Sequence, residues 1–412
     1  MLDINYLRKN PEEIKTKSAD KGIDVDTDKI IELDKRHREL QQGIQSLRAE
    51  RNKAAKEKDI EKGKEVKEKL ASLENEFTSV DNELNTLLLQ IPNIAKDDVK
   101  AGKDESENEV IKTVGEKPEF SFKPLDHVEL GEKLDIIDIE RAAKVSGTRF
   151  AYLKNEAVLI EFALIQFAFE TVIKEGFIPV IPPEIINSDI MRSLGYMENG
   201  GDDDMFHLKD DDKVLVGTAE HSIVPMHKDE VLEGKKLPLR YVGFSSAFRR
   251  EAGSYGRDTR GILRVHQFNK VEMVSFVSEE RDDEEHEYLL SLEEKFFKEL
   301  GIPYQVVKMC TGDLGFPAAR KYDIEAWIPS QGKYREVTSV STVTDFQSRR
   351  LNIKYQEGGS KEFAYVLNGT AFAIGRTLIA ILENYQQKDG SIIVPEVLRK
   401  YINIDKITAK SS

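Results

Sequence analysis

Two long runs of apolar residues, spaced alternately by three and four positions, constrain the N-terminal part of this chain more than any other feature. The first run comprises Ile30, Leu33, His37, Leu40, Ile44, Leu47, Arg51 and Ala54, with His37 and Arg51 as polar members. The second comprises Val66, Leu70, Leu73, Phe77, Val80, Leu84, Leu87 and Ile91, and Pro92 ends it. This spacing is typical of a coiled-coil seam. A polar break at residues 56–63 separates the runs, so we expect an antiparallel helical hairpin over about 30–91, roughly 37 Å long at about 1.5 Å per residue.

The turn of this hairpin is rich in positive charge. Residues 48–69 contain nine Lys or Arg and six Asp or Glu, which leaves a net charge of +3 on a chain whose formal charge is −14. A charged coiled coil is most often a spacer or an interaction module. A rod with a positive end could also bind a phosphate backbone by charge and shape, without contacting base edges.

Composition excludes several classes of protein. The 412 residues include one cysteine, Cys310, which cannot form an internal disulfide or a cysteine-rich zinc site. The N-terminus lacks the apolar core of a signal peptide, and no uncharged apolar run is long enough to span a membrane. We therefore expect a cytoplasmic protein with no membrane segment, in a reducing compartment.

Beyond the hairpin the pattern becomes mixed. Residues 94–132 are polar and contain Pro118 and Pro124, so they are interpreted as a linker. Helices are expected at 140–145 and 157–175, and strands at 213–217, 270–277 and 334–341. Because strands and helices do not alternate regularly, we predict an α+β fold, a mostly antiparallel sheet flanked by helices. The predicted domains are an arm at 1–105 and a second domain at 106–412.

The segment FRREAGSYGRDTRGILRVHQFNKVE, at 248–272, contains the strongest chemical signal. Gly253, Gly256 and Gly261 predict a hairpin whose loop could close over a phosphate-bearing ligand. On a strand, Arg249 and Glu251 would share a face, offering a guanidinium for phosphate or carboxylate and a carboxylate for an amine. Phe268 could stack on a base, with Glu272 four residues further on the same face. An ordinary antiparallel hairpin with a polar face would also fit this spacing.

Several blocks together resemble the seryl-tRNA synthetases, a family of class II aminoacyl-tRNA synthetases. Residues 248–272 resemble motif 2 (about 240–277), and NGTAFAIGRTLIAILENYQQ at 368–387 resembles motif 3 (about 363–387). VGTAEHSI at 216–223 resembles the serine-binding loop, and REVTSVSTVTDFQSRR at 335–350 resembles a further catalytic block. The region about 157–186, which includes GFIPVIPPEII, resembles motif 1, which builds the dimer interface. The predicted hairpin resembles the family's tRNA-binding arm.

This resemblance implies activation of L-serine with ATP and Mg²⁺, followed by transfer to the 3′ end of tRNA(Ser) and of tRNA(Sec), by a homodimer. It assigns Arg249 and Arg376 as catalytic residues. The implied ATP-binding residues are Arg249, Arg250, Glu251, Val265, Phe268, Glu336, Val337, Thr338, Ser339 and Arg376, with Glu336 and Ser339 ligating Mg²⁺. The implied serine-binding residues are Thr218, Ala219, Glu220, Arg249, Glu272 and Thr370. The implied tRNA-binding residues are Arg48, Arg51, Lys53 and Lys64.

Departures from the family pattern are small. Thr338 and Thr370 stand where serine is common, and both keep a hydroxyl. Cys310 lies outside the signature of the zinc-dependent seryl enzymes, which indicates the zinc-free type. Two alternatives remain open: an amino acid ligase of the same fold that loads a carrier protein, whose known forms lack the long arm, and a coiled-coil adaptor with a degenerate catalytic domain.

Overall fold

The computed structural model describes residues 2–252, 258 and 260–409 and divides into two compact units, 1–94 and 95–412. The first unit is helical: α1 (Ile4–Lys9), α2 (Pro11–Ala19), α3 (Thr27–Glu57) and α4 (Ile60–Leu89). α3 has 31 residues and α4 has 30, so the hairpin is about 46 Å long, more than predicted. Lys58, in the left-handed conformation with φ 57°, ends α3, and the Asp59 carboxylate caps α4.

The seam between α3 and α4 follows the predicted heptads closely. Ile30, Leu33, Leu40 and Ile44 are buried on α3, and Val66, Leu70, Leu84 and Leu88 on α4. Arg51 was wrongly placed in the seam, since it is exposed, and Leu88 is buried rather than Leu87. The predicted antiparallel hairpin is confirmed.

The second unit is an α+β domain. Its elements in chain order are β1 (Glu109–Val114), α5 (His127–Lys133), β2 (Ile137–Asp138), α6 (Ile139–Ser146), β3 (Tyr152–Leu153), α7 (Glu156–Lys174), β4 (Ile178–Val180), β5 (Ile185–Asn187), α8 (Ser188–Leu194), β6 (Lys213–Leu215), α9 (Glu220–Ile223), β7 (Val231–Glu233), β8 (Leu239–Phe248), β9 (Gln267–Val277), α10 (Asp282–Glu299), β10 (Tyr304–Lys308), β11 (Arg320–Ile328), β12 (Lys333–Thr342), α11 (Phe346–Leu351), β13 (Lys354–Glu357), β14 (Ser360–Phe363), β15 (Tyr365–Ala373), α12 (Ile374–Asn384), β16 (Ile392–Ile393), α13 (Glu396–Ile402) and β17 (Lys406–Ile407).

A large sheet organises this unit. Its strand order is β1-β10-β11-β12-β15-β9-β8-β4, and every neighbouring pair is antiparallel except β4 with β8. The predicted fold class is therefore confirmed. Side chains from α7, α10 and α12 pack on the sheet in one large core cluster, which includes Phe167, Phe296 and Phe372. Along β9, the core residues Val271 and Met273 alternate with Lys270 and Glu272, so the polar pair points to the opposite face.

The interpretation of residues 94–132 as a linker was wrong. Ala95 and Val99 pack against Leu314 and Ala318, and the Lys96 amide donates to the Ala319 carbonyl at 2.9 Å. The same stretch also contributes β1, at the edge of the large sheet, and the start of α5. Residues 95–105 thus lie in the second unit, whereas the sequence placed them in the arm. Within the described ranges, no helix is long and apolar enough to cross a membrane.

Candidate active site

Strands β8 and β9 form the hairpin expected from residues 248–272. Their register runs from Leu239 opposite Phe276 to Phe248 opposite Gln267, and the Arg249 amide still donates to the His266 carbonyl at 3.0 Å. The strand ends at Phe248, so the predicted strand geometry for residues 249–251 was wrong. Glu251 instead has a left-handed backbone with φ 55°. Two of the loop glycines, Gly253 and Gly256, lie outside the described residues.

A cleft of about 550 Å³ opens beside this hairpin. It collects nine of the ten residues that the resemblance assigns to ATP: Arg249, Glu251, Val265, Phe268, Glu336, Val337, Thr338, Ser339 and Arg376. The tenth, Arg250, is exposed and lines neither this cleft nor its neighbour. The Arg249 guanidinium lies over the Phe268 ring, with its carbon 5.4 Å from the ring centroid, and donates to the Gly217 carbonyl at 3.2 Å. Because the resemblance assigns these residues to ATP, we call this space the nucleotide cleft.

A β-bulge in β12 brings Glu336 and Ser339 onto one face. Residues three apart on a regular strand point to opposite faces. Here Thr338 pairs with Ile324 and Glu336 pairs with Glu325, which leaves Val337 as the extra residue. All four residues line the cleft, but Val337 and Thr338 are buried, while Glu336 and Ser339 are partly exposed to it.

Arg376, at the start of α12, pairs with Glu336 across the cleft. Its Nη1 lies 3.0 Å from Glu336 Oε2, and its Nε donates to the Leu263 carbonyl at 3.4 Å. Burial alone would raise the pKa of Glu336, but Arg376 and Lys321 outweigh it and lower that pKa to about 2. The carboxylate is therefore ionised at neutral pH.

A second cleft, of about 1080 Å³, adjoins the first and carries two of the remaining candidates. Thr218 and Glu220 line it, at the start of α9. Ala219 does not: it is fully buried, and a Cβ added at Gly243 would lie 3.2 Å from the Ala219 Cβ. Gly243 thus lets α9 lie directly on β8, next to Glu272, which pairs with Gly243 in the sheet register. Because the resemblance assigns Thr218 and Glu220 to serine, we call this space the amino-acid cleft.

Glu272 and Thr370 face each other across β9 and β15, so their side chains share one face. Thr370 lines the nucleotide cleft, whereas Glu272 is 1% exposed and lies beneath the cleft surface. Lys270 covers it, with Nζ 2.6 Å from Glu272 Oε2 and 3.4 Å from Thr218 Oγ1. The resemblance did not assign a role to Lys270. The sequence could have indicated one, because Lys270 and Glu272 lie two positions apart on a predicted strand and so share a face.

Glu220 is held by two residues that sequence reasoning missed. The Tyr196 hydroxyl and the Gln347 amide donate to its Oε1 at 2.9 Å and 3.0 Å. Burial raises the pKa of Glu220, and the nearby Glu272 adds to this, while the two donors oppose it. Burial, with Arg249 and Lys270 nearby, lowers the pKa of His221 to about 3, so its neutral ring accepts from the Gly217 amide at 3.2 Å.

The four candidate tRNA contacts lie on the arm, on either side of its turn. Arg48, Arg51 and Lys53 are exposed on α3, and Lys64 is exposed on α4. Arg48 Nη2 lies 2.8 Å from Glu74 Oε1 on the neighbouring helix.

Comparisons with known proteins match both units of the chain. Residues 1–95 match the seryl-tRNA synthetase N-terminal domain, and residues 206–385 match the tRNA synthetase class II core domain (G, H, P, S and T). The chain is 46% identical, over an alignment 424 positions long, to the serine–tRNA ligase of Dictyoglomus turgidum, with 100% of both chains covered. The seryl-tRNA synthetase of Pyrococcus horikoshii, solved with ATP, superposes with a TM-score of 0.93 at 40% identity over 100% of both chains. The cytoplasmic serine–tRNA ligase of Naegleria fowleri, solved with AMP, gives 0.89 at 33% identity over 100% of this chain and 99% of that one. With a matching arm, a matching core and full-length relatives, this chain belongs to the seryl-tRNA synthetase family of class II aminoacyl-tRNA synthetases.

Proposed function

We propose that this chain activates L-serine with ATP in the two adjoining clefts and transfers the seryl group to tRNA(Ser). Both clefts are lined by Arg249, Lys270, Glu336 and Ser339, and this shared lining is the main support for the residue assignments. A nucleotide in one and an amino acid in the other would meet at these four side chains. Arg249 is the shared guanidinium, and it suits both a phosphate and a carboxylate.

The first step joins two anions. A carboxylate oxygen of serine attacks the α-phosphorus of ATP, the new oxygen–phosphorus bond forms, and the bond to the β-phosphate oxygen breaks as pyrophosphate leaves. No proton has to be moved, so the protein supplies orientation and positive charge. Arg249 serves the α-phosphate and the serine carboxylate, and Arg376 serves the departing phosphates. A terminal adenosine hydroxyl of the tRNA then attacks the seryl carbonyl carbon of the adenylate: the ester bond forms, the bond to the phosphate oxygen breaks, AMP leaves and the hydroxyl proton is released.

The adenine and serine ends are recognised by different chemistry. Phe268 provides a flat face for adenine, Val265 an apolar wall, and Glu251 an acceptor for the adenine amino group. Glu220 receives the serine ammonium, with Thr218 beside it. Glu272 and Thr370, opposite each other in the sheet, accept from and donate to the serine hydroxyl, which requires Lys270 to move off the Glu272 carboxylate and the hydroxyl to point toward the nucleotide cleft. Ala219 contributes through packing on Gly243, and Arg250 has no role that its position supports.

Mg²⁺ fits the residues that the family resemblance names for it. Glu336 and Ser339 present one carboxylate and one hydroxyl to the same cleft, and both are hard oxygen donors. In the part of the chain that the structure describes, no group of three or more His, Cys, Asp or Glu side chains is arranged to hold a metal. Two protein ligands leave most positions for phosphate oxygens and water, as Mg²⁺ prefers. The ion would neutralise phosphate charge during the reaction.

We further propose that the arm binds tRNA(Ser), and tRNA(Sec) where present, through exposed cations near its turn. We also propose a homodimer formed by the motif 1 region. Large apolar side chains there are strongly exposed, including Phe162 at 58% and Ile181 at 83%, which suits burial against a second copy. The single cysteine, Cys310, fits a cytoplasmic setting.

Serine-dependent exchange of pyrophosphate into ATP tests the core of this proposal. Serine should support exchange with Mg²⁺ present, and a panel of other amino acids should support it far less. Exchange with alanine at the rate seen with serine would refute the assignment of Glu272 and Thr370. Charging of tRNA(Ser), with a carrier protein as the competing acceptor, then distinguishes a synthetase from a ligase of the same fold.

A further inference from the structure

His127, at the start of α5, lies outside every motif yet touches the backbone that frames the nucleotide cleft. Its side chain is almost fully buried, at 5% exposed. Gly261 packs directly against it with φ +89°, and a Cβ added there would lie 2.0 Å from His127 Nε2. Glycine is therefore required at 261 both by the backbone conformation and by the imidazole.

A chain of hydrogen bonds runs through this imidazole. The Ile262 amide donates to His127 Nε2 at 3.3 Å, and His127 Nδ1 lies 3.2 Å from Glu383 Oε1. Because Nε2 accepts, the proton resides on Nδ1 and is donated to the carboxylate. Glu383 is fully buried and also accepts from the amides of His127 at 3.1 Å and Ser330 at 3.0 Å.

Both ends of this hydrogen-bond network lead to the nucleotide cleft. Ile262, Leu263 and Val265 line it on one side. Glu383 belongs to α12, seven residues after Arg376, so the same helix carries both Arg376 and the carboxylate that accepts from His127. Arg376 also receives support from the Leu263 carbonyl.

We propose that His127 is a positioning residue for the nucleotide cleft. It ties the Ile262–Val265 backbone to α12, so that this backbone and Arg376 close on ATP together. This rests on the proposed function, in which the cleft holds ATP. The bond from Ile262 is the part that matters for the cleft, and the bond to Glu383 orients the ring. Loss of the hydrogen bond from the Ile262 amide should weaken ATP binding specifically. If His127 only stabilised the fold, its substitution would lower all activities in proportion to the loss of stability.

Two substitutions separate the bonds. In His127→Asn the amide can still reach Glu383 from the position of Nδ1, but no acceptor reaches Ile262. In His127→Gln the longer amide places an oxygen near the position of Nε2. We expect the Asn variant to raise the KM for ATP, and the Kd of a non-hydrolysable ATP analogue, about tenfold or more, since a buried amide is left unpaired. The KM for serine should stay within about twofold, and the Gln variant should recover most of the loss.

A matched control is His286→Asn, at a second buried histidine, whose Nε2 donates to the Val340 carbonyl at 3.2 Å. His286 lines neither cleft. Its loss should lower the melting temperature without changing the KM for ATP. The inference is overturned if His127→Asn binds the ATP analogue like the unmodified protein. Parallel losses toward ATP and serine that Gln does not rescue would overturn it as well. If the unmodified protein fails to exchange pyrophosphate with serine, the proposed function fails, and the analogue titration still tests His127.

Discussion

Neutralising the cations at the arm's turn should make tRNA binding less sensitive to salt. Arg51, Lys53 and Lys64 are exposed, and within the described residues none makes an ion pair. Replacing all three with Gln removes three positive charges and leaves the seam intact. Gln has nearly the same helix propensity as Lys and Arg, so the free energy of unfolding should change by about 0.5 kcal/mol or less.

The expected size follows from counterion release. Each phosphate contact contributes about 0.7 to 0.9 to the slope of log affinity against log salt, so three contacts contribute about 2 to 3. Between 50 and 200 mM salt the unmodified protein should then lose about 30-fold more affinity than the triple variant. Adding Arg48→Gln should change the slope by less than one further contact, because Glu74 already offsets that charge at 2.8 Å.

Fluorescence anisotropy with labelled tRNA(Ser) at four or more salt concentrations measures this slope. A matched control replaces Lys9, Lys15 and Lys35, which are also exposed on the arm unit but lie away from the turn. The control should keep the original slope and the same helical circular dichroism. An equal slope for the triple variant and the unmodified protein would show that these cations do not meet phosphates.

Three further predictions concern the clefts and the arm. Glu272→Gln should reduce serine-dependent exchange about 10²-fold while changing alanine-dependent exchange little, and equal losses for both amino acids would contradict contact with the hydroxyl. Arg249→Ala and Arg376→Ala should each slow adenylate formation about 10²-fold in single-turnover kinetics, and an unchanged rate would remove that residue from the active site. Replacing residues 30–91 with a short flexible linker should preserve pyrophosphate exchange and abolish tRNA charging; charging that survives would identify the arm as a spacer.

The arm was predictable because its signal is long and local. Sixteen seam positions in two runs specify helices whatever lies elsewhere in the chain. β1 was missed for the opposite reason: five of its six residues are exposed, and it pairs only with β10 at the edge of the sheet, so it carries no alternating apolar pattern. The start of α5 could have been predicted from the sequence, because Asp126 and Glu129 have the spacing of a capping box and form one in the structure.

Within the clefts, residue types were easier to predict than their geometry. Sequence alone gave no reason to expect a left-handed backbone at Glu251. Tyr196 and Gln347 reach Glu220 from 24 and 127 residues away, and such long-range contacts have no local signature. The residue set assigned to ATP depended on a family resemblance, and Arg250 shows that neighbours within a motif need not share a site.

The bulge at Val337 makes the pairing of β12, not only residue identity, part of what shapes the cleft. If the bulge closed with no change in chain length, β12 would be evenly pleated, and Glu336 and Ser339, three positions apart, would turn to opposite sides of the sheet. The hydroxyl would then leave the cleft although every polar side chain of the site remained. Deleting Val337 would instead leave the two residues two positions apart on an even strand and keep both on the cleft side, so redesign of this strand has to keep either the bulge or that shorter spacing.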